Sequence, residues 1–441
     1  MSKLIESLQS TVLAHQSETA IVGEESRTFS QLWSRTDAFA GGLRNRDLGA
    51  GERIGIRVAD PRAFLVAFYG SLRNGCVPVT MPLEYDERAV ATALEMADAT
   101  AVVTDLERLP SILVGADSVR LGVRVGGGTG MGVSLESFLD NSGMNSTGTR
   151  SGIDMIRRGD EEVGLIAYLG EYDGEPLAIT YSQSALAAAG RTGGGALELG
   201  QSDTATAVSP ADGARAGQLG VLQLANPLEL LFGATATLVQ GDRYRPLETW
   251  DPETVRSLRY TTALKRVFLT PTHYDELRGL EGGTAAETRE LPDETSAPFD
   301  EGDMAGVAIL ESAGESASIK DGVSLVGTPE TGLTHVRLPA DRAAGRLGEP
   351  LPGVQATVRQ DGDAGDTARA VDADGDAASA GEVAVTGPTT MQGYLERPAM
   401  TEQMVTTTEE TRWILMGMQA TTTDGTIVLE GEISTPLPSM G

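Results

Sequence analysis

Two hydrophobic periods alternate along the first hundred residues of this chain. Thr28 or Ser30 can cap a helix whose Leu32, Phe39 and Leu43 share one face, and Gly49 and Gly51 break that run. Ile54, Ile56 and Val58 then alternate at the period of a strand. Pro61 can open a second helix with Phe64, Leu65, Phe68 and Leu72 inward, ended by Gly75. A short strand over 76–79, a helix over 87–97 and a strand over 101–104 follow. Strands alternating with helices predict an α/β fold with a parallel sheet covered on both faces.

Further along, residues 140–160 are rich in Ser, Gly, Asn and Thr and read as a flexible linker. A strand over 163–168 leads into the segment 168–178, and a helix starts over 182–189. The alternation resumes with strand 204–209, helix 217–232, strand 234–239, helix 252–259, strand 266–270 and helix 271–280. Residues 281–303 are acidic, contain Pro and Gly, and are expected to be mobile. From 345 the pattern changes to short β runs at 355–358, 382–386, 413–415 and 427–429, with 360–380 as an exposed hairpin tip. The expected organisation is an α/β unit over 1–162, a second over 163–344 and a β-rich unit over 345–441.

Charge narrows the setting. Asp and Glu number 63 against 34 Lys and Arg, for a net charge of −29 spread along the whole chain. Only Lys3, Lys265 and Lys320 are lysines. Such a surface suits a salt-rich cytoplasm, as in a halophilic archaeon, where counterions screen self-repulsion. No basic stripe is present to release counterions, so nucleic acid is not expected as a partner. Cys76 is the only cysteine, which excludes disulfides and cysteine-based zinc sites. His15, His273 and His335 lack ligand spacing. The chain opens directly into an amphipathic stretch without a signal peptide, and the apolar segment 220–240 is interrupted by Gln223, Asn226 and Glu229. A cytoplasmic protein without membrane association is expected.

Residues 168–178 carry the most pointed chemistry. A loop that holds phosphates needs small residues, inward-facing N–H groups, hydroxyls and usually a Lys. This segment runs from Tyr168 through Gly170 to Gly174, Pro176 and Leu177, but it carries Glu171, Asp173 and Glu175 and has no Lys. The glycine-rich run 126–132 fits G-x-G-x-x-G at no offset, no lysine has a G-x-x-x-x-G-K-S/T context, and G-x-S-x-G is absent.

The order of segments over roughly 19–433 resembles the adenylate-forming superfamily, which includes acyl-CoA synthetases, aryl and fatty-acid ligases and the adenylation domains of peptide synthetases. Thr28-Phe29-Ser30-Gln31-Leu32, Gly75 to Pro82 and Pro271-Thr272 resemble its early and central motifs. Gly345 to Val354, Gly381 to Pro388, then Met391-Gln392-Gly393-Tyr394 and Arg397-Pro398, are similar to its late motifs at matching spacing. The resemblance implies the large N-terminal domain of these enzymes: two parallel-rich α/β subdomains plus a small distorted β-barrel. It also implies their chemistry, in which a carboxylate joins ATP with Mg²⁺, pyrophosphate leaves, and the acyl group passes to a thiol.

The motifs that carry this chemistry depart from the family pattern. Against the phosphate loop S/T-S-G-T-T-G-x-P-K-G, only Gly174 and Pro176 match, and Leu177 stands for the Lys. Y-G-x-T-E reads Val326-Gly327-Thr328-Pro329-Glu330, which leaves Glu330 as a weak candidate metal ligand. Y/W-x-x-T-G-D reads Trp413-Ile414-Leu415-Met416-Gly417-Met418, so Met418 replaces the ribose-binding Asp. The hinge G-R-x-x-D reads Gly431-Glu432-Ile433-Ser434-Thr435, and the lid domain with the family's catalytic Lys is absent before the end at Gly441.

The expected reading is therefore a non-catalytic ligase-like protein acting as a binding or assembly module. No catalytic residue and no cofactor are expected, and ATP or AMP with Mg²⁺ enters only if the family site survives. Its partner would be an unknown protein or a small acyl or nucleotide-like ligand. The alternative is an acyl-CoA ligase with a rewired site or a lid supplied by another chain. A third use, with Glu171, Asp173 or Glu175 as acid or base in an unrelated reaction, has nothing to place two of them against a substrate.

The acid excess makes one expectation measurable. The thermal midpoint should rise as potassium chloride approaches about 1 M, where the screening length falls to about 3 Å. Circular-dichroism melts that do not move with salt would contradict it.

Overall fold

A computed structural model describes residues 3–126, 131–140, 156–199, 217–261, 264–279, 307–311, 323–359, 380–408 and 411–432. The first expected helix forms over Phe29–Arg44 with a capping box: the Gln31 N–H donates to Thr28 Oγ1 (3.2 Å), and the Thr28 N–H donates to Gln31 Oε1 (2.9 Å). Its Phe29, Leu32, Phe39 and Leu43 are buried. The second forms over Pro61–Arg73, with Asp60 accepting from the Arg62 N–H. The second helix packs against the first and on a sheet whose parallel members are Val163–Tyr172, Val77–Thr80, Arg53–Arg57, Ala101–Thr104, Leu121–Arg124 and Val133–Ser134. Beyond Val163–Tyr172 the sheet turns antiparallel, through Glu175–Ser182 and then Gly393–Tyr394. This first sheet takes strands from both sides of residue 162 and from the late part of the chain.

A second, nine-stranded sheet runs in the order Glu349–Pro350, Gly332–Arg337, Val323–Thr328, Val307–Glu311, Leu264–Leu269, Gly217–Gly220, Arg243–Pro246, Thr19–Ile21, Arg27–Thr28. Its centre is parallel and its two ends are antiparallel. A small antiparallel sheet is built on the long strand Thr411–Thr423, flanked by Ala380–Thr386, Val405–Thr408 and Thr426–Glu432, with Gln355–Arg359 beyond. The fold is α/β, with parallel-rich sheets and a partial half-barrel.

Two expectations are corrected over 217–239. The helix expected over 217–232 is instead a buried strand, Gly217–Gly220, followed by a π-helix over Leu228–Thr235. The strand expected over 234–239 ends that π-helix and continues as the helix Ala236–Val239. All eight residues of the π-helix are buried, and a run that is apolar on every side has no period to separate helix from strand. The strand expected over 163–168 runs on to Tyr172. The strand expected over 204–209, the acidic segment 281–303, nearly all of 360–380 and most of the linker 140–160 lie outside the described residues. Among the described residues no helix is long and apolar enough to cross a membrane.

Glu229 sits in the π-helix, fully buried. Tyr244 donates its hydroxyl to Glu229 Oε1 (2.9 Å), while Oε2 and the nearby buried Gln218 Nε2 have no hydrogen-bond partner among the described residues. Burial pushes the Glu229 pKa up to about 8, partly offset by the Tyr244 hydrogen bond. The folded state therefore holds this proton more tightly than the unfolded chain. Its contribution to stability is complete below the ordinary value of 4.5 and is lost as pH rises through about 8. The slope is at most about 1.4 kcal/mol per pH unit. Glu229→Gln should flatten this part of the pH–stability profile, as read from denaturant midpoints between the two values. Parallel profiles for the variant and the parent chain would contradict the assignment.

Candidate functional site

Residues 168–178 form a β-hairpin. Val163–Tyr172 and Glu175–Ser182 pair in the register Tyr168↔Ala178, Gly170↔Leu177, Glu171↔Pro176 and Tyr172↔Glu175. Only Asp173 and Gly174 lie between the strands, both in the left-handed region (φ 55° and 75°). Asp-Gly with two positive φ angles is the two-residue turn whose twist matches that of the flanking strands. The segment expected as a degenerate phosphate loop is a closed reversal, and its backbone is committed to ladder pairing rather than to a concave row of N–H groups.

The hairpin is pinned from its own side of the sheet. A bulge at Leu169 breaks the register, and Gly170 beside it has φ 141°. Tyr85 donates its hydroxyl to the Gly170 carbonyl, and Tyr168 donates to the Ala93 carbonyl (2.6 Å). Leu177 has 0% exposure and belongs to the main core, so no space for a cation exists at that position. Glu171, Asp173 and Glu175 are exposed at the tip, where the Arg397 guanidinium lies 5.8 Å from the Tyr172 ring centroid.

Gly327, Thr328 and Glu330 occupy the tight connection between Val323–Thr328 and Gly332–Arg337. A Cβ on Gly327 would lie 2.3 Å from the Gly332 carbonyl oxygen, so the close approach of these strands requires glycine. Thr328 donates its N–H to Thr331 Oγ1 (3.0 Å). Glu330 is buried, and Tyr394 donates its hydroxyl to Glu330 Oε1 (3.1 Å). Tyr181, from the second hairpin strand, donates to the Pro329 carbonyl, and the Met391 N–H donates to the Glu330 carbonyl (2.8 Å). Burial raises the Glu330 pKa above its ordinary value, with hydrogen bonds from Thr328 and Tyr394 opposing the shift. Among the described residues no group of three or more His, Cys, Asp and Glu could hold a metal ion.

Met418 lies elsewhere, in the middle strand of the small sheet. It is buried in one apolar cluster with Val326, Leu347, Val383, Val385 and Met416. The positions matched to the stacking aromatic and the ribose carboxylate thus contribute to the same hydrophobic core. Gly431 and Glu432 continue the strand Thr426–Glu432, in the register Met418↔Glu432. A nucleoside triphosphate with its metal asks for phosphate donors, a ribose acceptor and an accessible carboxylate. The residues present do not fit that group: they offer exposed acids, a buried Leu, a buried Met and a carboxyl already hydrogen-bonded by Tyr394.

Residues 8–132 match the family described as AMP-binding enzyme. No curated protein matches the chain. Solved structures do. ATP-bound MatB from Rhodopseudomonas palustris superimposes with a TM-score of 0.73 at 19% identity, covering 98% of this chain and 78% of that one. The AMP complex of o-succinylbenzoate coenzyme A synthetase (MenE) from Bacillus subtilis gives 0.69 at 14%, covering 97% and 78%. The N-terminal domain of FACL13 from Mycobacterium tuberculosis gives 0.70 at 16%, covering 97% and 99%. The chain has the fold of the large N-terminal domain of adenylate-forming enzymes.

Sequence reasoning missed the link from Tyr181 to the Pro329 carbonyl, because Tyr181 reads simply as an inward-facing strand residue. It also missed that Val326 and Met418 are joined through one core; their shared apolar character was the only available signal. Returning Met418 to the acidic residue of the motif should therefore harm the protein. An unpaired carboxylate in this cluster should cost on the order of 3 kcal/mol of unfolding free energy. Denaturant unfolding of Met418→Asp checks this, and an unchanged midpoint would show that the cluster admits water.

Proposed function

We propose that this protein is a non-catalytic relative of the adenylate-forming ligases, and that it uses their large N-terminal fold as a binding or assembly module. The observation that carries the reading is the shared apolar cluster of Val326 and Met418, positions where the family resemblance would put contacts to the nucleoside. The closed Asp173–Gly174 reversal supports it from the phosphate side. Phosphoryl chemistry depends on donors and metal placed where charge develops, and such groups act as a unit, so their joint loss should abolish adenylation. The partner classes that suit the module are a protein or a small acyl or nucleotide-like ligand, and the acidic composition suits a salt-rich cytoplasm.

The second reading is an adenylate-forming acyl-CoA ligase with a rewired site or a lid supplied by another chain. It is favoured by the likeness to MatB over 98% of this chain. ATP–pyrophosphate exchange at molar potassium chloride, with a panel of aliphatic and aromatic carboxylic acids, separates the two. Background exchange is expected, and ATP with Mg²⁺ should give no binding heat in calorimetry. Exchange above background with any acid overturns the non-catalytic reading.

A further inference from the structure

The first sheet has a second feature that the hairpin does not touch. From Arg53–Arg57 the chain crosses to Val77–Thr80 on one side, whereas Ala101–Thr104 and then Leu121–Arg124 add on the other. The strand order thus reverses beside Arg53–Arg57. In open α/β sheets, ligands collect in the crevice beyond the carboxyl ends of the strands at such a reversal.

A cleft of about 380 Å³ lies on this side of the sheet, past the carboxyl ends of Arg53–Arg57 and Leu121–Arg124. Small-ligand sites commonly measure about 300–1,000 Å³. Asp60 and Arg62, just past Arg53–Arg57, line one side, and Arg124 at the end of its strand lines another. Its lining shares no residue with positions 168–178, 326–331 or 418.

The charge of this cleft runs against the composition of the chain. Four guanidinium groups (Arg27, Arg35, Arg62 and Arg124) face three carboxylates (Glu25, Asp60 and Glu136) in a protein of net charge −29. Two of the arginines are well paired. Arg35 binds Glu136 at 2.5 Å, and Arg62 binds Asp60 at 3.0 Å and Glu25 at 3.2 Å. Arg27 is served less well. Glu25, already engaged by Arg62, lies 3.9 Å away, and the solvent-shielded Arg27 Nε has no hydrogen-bond partner. Burial first, then the charges of Arg35 and Arg62, lower the Arg27 pKa, with Glu25 and Glu136 opposing them. An anion seated among these guanidinium groups would relieve that repulsion and occupy the free N–H. Arginine forks match the planar, multidentate geometry of phosphoryl oxygens.

We propose that this cleft is a binding site for a phosphoryl group, either free phosphate or a small phosphate monoester, with Arg27 as its principal partner. The proposal does not rest on the reading of the hairpin and holds whether or not the protein adenylates. Glu25 competes with the ligand for Arg27 and Arg62, so removing its charge strengthens binding.

The test is calorimetric titration of the full chain with inorganic phosphate and, separately, with glycerol 3-phosphate, in potassium chloride at constant ionic strength. A saturable single-site isotherm is expected. Arg27→Gln should bind about tenfold more weakly, the scale of one charge-assisted hydrogen bond. Glu25→Gln, a change at an exposed side chain, should bind more tightly and guards against a folding defect in the arginine variant. Tighter binding of the ester identifies a monoester as the natural occupant, and equal affinity identifies free phosphate. Absence of saturable heat, or affinities unchanged in both variants, overturns the proposal.

Discussion

The hairpin of Val163–Tyr172 and Glu175–Ser182 is the constraint on which the middle of this molecule depends. It converts a parallel sheet into an antiparallel edge, and that edge accepts Gly393–Tyr394 from more than two hundred residues along the chain. Through that pairing Tyr394 reaches Glu330 and, from the neighbouring strand, Tyr181 reaches the Pro329 carbonyl. Arg412, on the long strand of the small sheet, donates to the Gln392 carbonyl (2.6 Å) and ties in the third layer. The three sheets therefore meet along the strand Glu175–Ser182, which is returned to its partner by a two-residue turn that only residues tolerant of positive φ can make. Asp and Gly are such residues, and their twist keeps the edge strand in register.

Several polar groups inside the molecule are paired with each other. Glu311 joins Arg337 and accepts from Ser324 (2.8 Å) in a buried network between neighbouring strands of the second sheet. Glu382 accepts the Gly417 N–H at 2.9 Å, bracing the strand that carries Met418. Such networks select one packing arrangement, because a partly satisfied version would leave charge in low dielectric. Glu229 is not fully paired: one carboxyl oxygen has no hydrogen-bond partner among the described residues, and its raised pKa follows from its burial. By contrast, the three acids at the hairpin tip are exposed to solvent.

The first hundred residues were the most legible. Caps, proline starts and glycine stops agree there with hydrophobic period. The region 217–239 was the least legible, since a segment buried on every side carries no contrast between faces. At the candidate site, the departures at Leu177 and Met418 were visible as letters. Their meaning required coordinates: Leu177 fills the main core, and Met418 packs in one cluster with a residue more than ninety positions away.

Taken alone, the sequence determined the α/β class, the acid excess, a helix cap at Thr28 or Ser30 and the residue types at each motif position. These follow from local spacing, turn chemistry and charge, which act over a few residues. Only the tertiary structure decided that 168–178 closes as a hairpin, that Glu330 is covered by Tyr394, and that four arginines from separate segments surround one cleft. Those outcomes depend on strand order and register, which bring together side chains that no local pattern relates.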